Sequence, residues 1–328
     1  MTMFMKSTPL ATLLTLALAS TVQADPVLYT SNPVPAYEAV QAAVKEGAGT
    51  NLGVITGGSG VLLRRIEAEA AAPQADIFWS SSANTLGAYE GLFEPYASPA
   101  LEAMIPELRY PGDLFLPANL HVVTMLVNTD QLDGQAAPQA WADLADPAWS
   151  GRIIIADPAN SSTGYTIAWG LSKLLDEATY KAVVANMVVS GSSSNVPKGV
   201  AMGEYAVGLT YETNSYAYVD GGQTELSLVY PSDGTFTSPE YAALVKNAPS
   251  GDGAKAAIDA LLSKEAQIAL LEVAFRRPSR TDITVADHVK MPEIGDIKTF
   301  PLDEADAAAN RDAFLAAWAA LPKAGDVE

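Results

Sequence analysis

The chain has 328 residues, no cysteine and only two histidines. Without thiols there is no disulfide scaffold and no thiolate metal site. A lipoprotein-type leader, which needs a cysteine to carry its lipid, is excluded as well. Cations are scarce: 19 Lys and Arg stand against 38 Asp and Glu, a formal net charge of −19. Basic residues cluster only in "RRPSR" at 276–280, so the continuous basic face of a nucleic-acid binder is missing and no such partner is expected. Past residue 24 no stretch is apolar enough to span a bilayer.

The motifs of catalysis are missing too. There is no G-x-S-x-G elbow, no H-E-x-x-H, and no Ser-x-x-Lys with its partner motifs. "TGGSG" at 56–60 lacks the Gly-Lys-Ser/Thr of a phosphate loop. His121 lies in an apolar run and reads as a packed side chain, and His288 reads as a surface residue. Asp76 and Asp157 sit at strand ends, where carboxylates hold turns together. No nucleophile is paired with a base. The chain therefore reads as a non-enzyme with no cofactor, and a secreted hydrolase is the distant alternative.

What is present begins with an export signal. Lys6 is the only charge before Asp25, the run Leu10–Ala19 is broken only by two threonines, and Val22 and Ala24 occupy the −3 and −1 positions of a small-residue cleavage site. Residues 1–24 are expected to be a cleaved signal peptide that delivers a monomer to the periplasm.

The remainder alternates short β runs with helical stretches. "VLYTS" (27–31), "NLGVITG" and "ADIFWSSS" read as strands. "PAYEAVQAAVKEG" (35–47), "SGVLLRRIEAEAAA" and "ANTLGAYEGLF" read as helices. The alternation resumes with the strands "HVVTMLVNT" (121–129), "GRIIIADP", "EYAVGLTYE" and "TELSLVYP", and the helices "TGYTIAWGLSKLLD" and "EATYKAVVANMVVS". It closes on a helical tail of "PEYAALVKN", "GAKAAIDALLSKEAQIALLEVAF" and "DEADAAANRDAFLAAWAALP". This is an α/β fold of two interleaved lobes, with the chain crossing between them near 118–128 and 225–232. The expected division is 25–118 for lobe 1, 119–228 for lobe 2, and 229–328 for a segment shared between lobe 1 and the C-terminal helices. Ligands of such sheets bind beyond the carboxyl ends of the strands.

Four turns there share one composition: Thr30-Ser31-Asn32, Gly58-Ser59, Ser80-Ser81-Ser82 and Ser161-Ser162-Thr163-Gly164. Glycine admits close backbone approach. Helix starts offer free N–H groups, and hydroxyls rotate to suit a ligand. Together they describe a cleft that holds an anion without a formal cation. Each turn taken alone is equally an ordinary helix cap. A fifth stretch, "VGLTYETNSYAY" (207–218), places Tyr211, Glu212 and Tyr216 at the end of a strand, with Tyr218 as a rim or packing residue. In "FRRPSRTD" (275–282), Arg277 or Arg280 could hold an anion, or the stretch is a structural ion-pair knot or a solvated loop; the roles of Arg276, Arg277 and Arg280 stay open.

These residues resemble a known family. "PQADIFWSSSANTLGAYEGLFEPY", the pattern W-x-D-L-x-D-P-x-W-x-G-R-I-x-x-x-D-P at 141–158, and "LVYPSDGTFTSPEYAALVKNAPSGDGAKAAIDALLSKEAQ" are similar to periplasmic substrate-binding proteins of ABC importers. The group is that of the ferric-ion, 2-aminoethylphosphonate and sugar-phosphate binders, with the type II periplasmic binding fold. The resemblance implies two lobes closing on a small-molecule ligand, and a transient partner in an inner-membrane ABC permease. Ferric binders carry Tyr-Ser-x-x-His after the first strand, where this chain has Tyr29-Thr30-Ser31-Asn32-Pro33. Ser81 stands nearest to their glutamate, and Tyr211-Glu212 replaces their adjacent tyrosines. A hard trivalent ion wants several anionic oxygens. The expectation is therefore no metal and a small phosphonate- or phosphate-bearing organic anion, with Tyr211 as wall and hydroxyl and Glu212 as the specificity contact. The alternative within the family is ferric iron held by Tyr211 and Glu212.

Overall fold

The computed structural model describes residues 25–326. The expected signal peptide, 1–24, lies outside the described residues. In the first half, β1 (Val27–Thr30), α1 (Val34–Gly47), β2 (Gly53–Thr56), α2 (Ser59–Ala68) and β3 (Ile77–Trp79) form a parallel order β2-β1-β3. α1 begins at a proline, whose fixed φ suits a helix start, and buries Ala36, Val40 and Val44 at four-residue spacing. "ANTLGAYEGLF" is not one helix. α3 (Ala83–Leu86) passes into a 3₁₀ run over Gly87–Leu92 in which Tyr89 leaves helical dihedrals, because Gly87 and Gly91 remove the propensity that would carry the helix through.

After β4 (Phe93–Glu94) comes β5 (Leu116–Asn128), thirteen residues long and buried at every one. The second half follows with β6 (Ile153–Ala156), α4 (Ser162–Leu174), α5 (Glu177–Ala185), β7 (Met187–Ser190), α6 (Asn195–Ala201), β8 (Val207–Tyr211), α7 (Glu212–Asp220) and β9 (Leu226–Val229). The "MVVS" expected to finish a helix is β7. Asn186 ends α5, and the β-branched run that follows pairs in parallel with β6 from Met187 to Ser190.

The larger correction is "PEYAALVKN", which is not helical but belongs to β10 (Thr237–Val245). Ala242 and Leu244 face the core containing α1 and α8 (Asp252–Leu261), while Tyr241, Ala243 and Val245 face the core containing α2. A strand buried on both faces shows no polar alternation, so its apolar run looks like a buried helix. Beyond α8 lie α9 (Lys264–Ala274), β11 (Arg277–Pro278), α10 (Glu304–Ala309) and α11 (Arg311–Ala319). The two long helices expected in this tail are each split. One breaks at Ser263, whose hydroxyl accepts from the Ala266 N–H at 3.1 Å, and the other at Asn310.

The strands form one mixed sheet in the order β2-β1-β3-β10-β5-β8-β6-β7. β9 and β10 run in succession along one edge of β5, and β11 and β8 along the other. β5 thus pairs with the first half of the molecule through Val122 and with the second half from Val123 onward. No helix among the described residues is long and apolar enough to cross a membrane.

The second-half core rests on Trp141 stacked on Phe236, with ring centroids 5.7 Å apart. A side chain begun at Gly170 would lie 2.7 Å from that Phe236 ring. Gly170→Ala is therefore expected to cost about 1–3 kcal/mol through overpacking, despite the better helix propensity of alanine. Urea denaturation measures it, and an unchanged midpoint would show that Phe236 gives way freely.

Candidate functional site

The partner switch of β5 also gathers the site. His121 lies opposite Ser238 of β10. Arg277 of β11 lies opposite Leu120, so the preceding residue, Arg276, falls beside His121. Val123 lies opposite Tyr211 at the end of β8. Side chains two apart on a strand share a face, and the rings of His121 and Tyr211 stack diagonally, centroids 4.3 Å apart and 4° from parallel. Ser238 and Glu240 share a face of β10 for the same reason.

The strand-end turns close a cavity of about 180 Å³ over this cluster. Ser31, Asn32 and Pro33 come from the turn before α1, Ser81 and Ser82 from the turn after β3, and Ser162 and Thr163 from the first turn of α4. Ser193, Ser194 and Asn214 line it from the second half. The N–H groups of Ser162 and Thr163 in the first turn of α4 add positive potential there. Ser81 takes φ +72°, a left-handed conformation uncommon for a residue with a side chain. Its carbonyl is held by the Tyr241 N–H at 3.0 Å.

Of the sequence-derived candidates, Ser31, Asn32, Ser81, Ser82, Ser162, Thr163 and Tyr211 come together on the cavity wall. The others are placed elsewhere, each for a visible reason. The Thr30 hydroxyl donates to the Trp79 carbonyl at 2.6 Å and accepts from the Asn32 N–H at 3.0 Å, so it holds the turn. Ser59 and Ser80 hydrogen-bond each other at 2.8 Å behind Ser31. Gly58 is the N-cap of α2. Ser161 caps α4 by accepting from the Gly164 N–H at 3.3 Å. At Gly164 a Cβ would stand 2.2 Å from the Ala156 carbonyl oxygen, so that glycine serves the packing of α4 on β6. Tyr216 packs edge-on against Phe275, 4.9 Å between centroids.

Glu212 is fully buried behind the wall, where Arg277 grips it with two hydrogen bonds of 2.6 and 2.8 Å. It is an ion-pair residue and not the specificity contact expected for it. Arg280 pairs with Asp282 at 2.8 Å. Of the three arginines only Arg276 lines the cavity.

His121, Glu240 and Ser238 are not legible as site residues, because they sit within buried strands, and Arg276, just ahead of β11, is brought to them only by the register. Arg276 Nη1 lies 2.9 Å from His121 Nε2, and Glu240 Oε2 lies 3.5 Å from the same nitrogen. Burial pushes the His121 ring below its ordinary value and the Arg276 charge pushes the same way, so the imidazole is neutral at neutral pH. Burial alone would raise the Glu240 carboxyl, but Arg276, His121 and the Asn32 amide overcome it and hold the group down at about 2. Burial raises the Tyr211 hydroxyl to about 12, so it is a neutral phenol, 3.3 Å from Thr166 Oγ1. Among the described residues no group of three or more His, Cys, Asp or Glu is placed to hold a metal ion.

Five buried polar atoms of wall residues have no hydrogen-bond partner: Asn32 Oδ1, Ser81 Oγ, Ser82 Oγ, Ser238 Oγ and Arg276 Nε. Each such atom is worth about 1–3 kcal/mol if left unpaired away from water. The cavity thus asks for a molecule that both donates, to Asn32, and accepts, from Arg276.

Behind the wall, Thr166 Oγ1 also accepts from Asn84 Nδ2 at 2.9 Å, and the Asn84 N–H donates to Glu304 Oε2 at 2.7 Å. Burial raises the Glu304 carboxyl to about 7, against the opposing pull of the Asn84 N–H. A carboxyl raised by folding binds its proton more tightly in the native state. It favours folding most below its unfolded value of 4.5, and that favour is lost as pH climbs through about 7. The melting temperature is expected to decline between pH 5 and 8, and Glu304→Gln, which keeps the acceptor, is expected to flatten the decline. Parallel profiles for the two proteins would remove Glu304 as its source.

Comparison with known proteins agrees with the fold. A family model described as bacterial extracellular solute-binding protein matches residues 72–310. An uncharacterized protein of Haemophilus influenzae is 30% identical over 229 residues, which cover 65% of this chain and 65% of that protein, so the match spans slightly less than two thirds of the relative's length. A Salmonella typhi periplasmic protein named for 2-aminoethylphosphonate binding is 24% identical over 261 residues, 75% of this chain and 74% of that one. The solved structure of the periplasmic binding protein AfuA of Actinobacillus pleuropneumoniae, with exogenous fructose-6-phosphate bound, superposes with a TM-score of 0.82 at 25% identity, covering 90% of this chain and 98% of that one.

Proposed function

The chain belongs to the bacterial extracellular solute-binding proteins, and from that premise we propose that it captures a small phosphonate- or phosphate-bearing organic solute in the periplasm for an ABC permease. The observation that carries the reading is the set of unpartnered wall atoms. Arg276 Nε–H needs an acceptor and Asn32 Oδ1 needs a donor. A bare metal cation cannot accept from Arg276. A fully deprotonated inorganic anion such as sulfate cannot donate to Asn32, and hydrogen phosphate has a single O–H with which to do so. An organic molecule with an anionic head and a hydroxyl or ammonium group does both. The relatives named for 2-aminoethylphosphonate or holding fructose-6-phosphate bind solutes of that kind.

The head is assigned to Arg276 with Ser31, Ser81, Ser82, Ser162 and Thr163, where rotating hydroxyls and the α4 start supply donors. Tyr211, stacked on His121, forms the wall. The iron alternative has less support, since Glu212 is consumed by Arg277 and Tyr211 is a neutral phenol. Nor is there support for a hydrolase. The ring nitrogens of His121 face Arg276 and Asn119, and none of their recorded partners is a serine or threonine hydroxyl. In the proposed cycle, segment 119–228 moves as one lobe against 25–118, with 229–328 returning to the first.

A thermal-shift panel of 2-aminoethylphosphonate, hexose phosphates, inorganic phosphate, short organic acids and ferric ion tests the assignment. A ligand at a hundred times its Kd adds about 2.7 kcal/mol to the native state. An organophosphorus compound is expected to raise the melting temperature well beyond inorganic phosphate. A rise with ferric ion alone, together with a coloured tyrosinate band, would overturn the proposal.

Arg276→Lys keeps the charge but loses the guanidinium fork. It is expected to weaken the best organophosphorus ligand about tenfold, the equivalent of one charged hydrogen bond. Calorimetry showing wild-type affinity would place Arg276 outside the contact set.

A further inference from the structure

The Glu212–Arg277 pair has no place in the ligand contacts, yet it is the most deeply buried ion pair described, with side chains 0% and 2% exposed. Its position explains why. β8 and β11 lie end to end along the same edge of β5. β8 stops with Tyr211 opposite Val123, and β11 starts with Arg277 opposite Leu120. Between them the β5 edge at His121 and Val122 has no strand partner on that side. Glu212 follows Tyr211 directly, and Arg277 follows Arg276 directly, so the ion pair spans this gap.

Each chain segment therefore sends one residue forward into the cavity, Tyr211 or Arg276, and the next one back into the pair. Tyr230, on the connection from β9 to β10, adds its hydroxyl to Glu212 Oε1, and Arg277 Nη1 donates to the Pro292 carbonyl at 2.7 Å. Three separate chain segments, those of Glu212, Tyr230 and Arg277, thus meet at one carboxylate.

We propose that Glu212 and Arg277 are positioning residues: a buried clip across the β5 crossover that fixes Tyr211 of one half relative to Arg276 of the other and sets the resting angle between the halves. A hydrogen-bonded ion pair suits this task better than an apolar contact. Its bidentate geometry tolerates little sliding, whereas apolar side chains of similar volume pack well at several offsets. The inference does not depend on which solute is bound, and its test is made without ligand.

The chain has no cysteine, so a pair of spin labels can be placed without background. Glu46→Cys on α1 and Lys181→Cys on α5, both exposed, report the distance between the halves. The double variant Glu212→Leu/Arg277→Met removes both charges at once, which in buried pairs is often neutral for stability. The expected result is a melting temperature close to wild type with a distance distribution that is broad where the wild type is narrow. A distribution as narrow as wild type in the folded double variant would overturn the proposal. If the double variant does not fold, Tyr230→Phe, which removes a single hydrogen bond to Glu212, decides: broadening supports the clip and an unchanged distribution rejects it. Neither outcome depends on the ligand assignment, because a narrow, clipped wild type that binds no organophosphate would defeat that assignment alone.

Discussion

Backbone hydrogen bonding along β5 is the constraint on which the rest of this molecule depends. Thirteen consecutive buried residues carry N–H and C=O groups, Pro117 only the latter, that must find partners away from water. Most do so by pairing with four strands, two along each edge. Because the partners change near His121–Val123, two α/β halves share one continuous strand. The place where they meet is where the pleat turns His121 toward Tyr211, Ser238 and Arg276. The site is a by-product of register: a slip of one residue would turn every one of these side chains to the opposite face.

The wall itself combines two kinds of polar group. The outer turns supply hydroxyls and helix-start N–H groups, which adapt to a ligand. The floor supplies a buried Arg276–His121–Glu240 group whose charges cancel. Keeping the guanidinium beside a carboxylate lets it stay charged in a dry place, while its unpartnered Nε remains free for an acceptor. That arrangement reconciles a strongly acidic chain with an anionic ligand, since the nearest donors weigh more than the net charge in the potential inside the cavity.

The two-lobed α/β architecture and seven of the cavity residues were legible in the sequence, because strand-to-helix turns carry local signatures. Ser31, Asn32, Ser81, Ser82, Ser162 and Thr163 stand where small polar residues precede helices, and Tyr211 ends an apolar strand. What could not be read falls under one physical cause. β10, Glu240, His121 and Arg276 are defined by pairing across more than a hundred residues of sequence, and a strand buried on both faces has no alternation to betray it. Glu212 was misassigned for the same reason, since nothing near it announces that Arg277, sixty-five positions away, will take its carboxylate. Conversely, the hydroxyls of Thr30, Ser59, Ser80 and Ser161 look like ligand donors in the sequence but are engaged by hydrogen bonds within and between the turns.

The position of β10 in the sheet has a consequence for how the protein is assembled. All the strands of the second half, β5 through β9, come from the contiguous stretch 116–229, although its core also takes in Phe236 and Trp318 from beyond that stretch. The sheet of the first half is discontinuous in sequence. Its order β2-β1-β3-β10-β5 leaves β3 and β5 without their common neighbour until residues 237–245 arrive. Contacts of such sequence separation form slowly, since a long loop must close before they gain anything. The sheet of the first half is therefore completed only by a strand that lies nearly three quarters of the way along the chain.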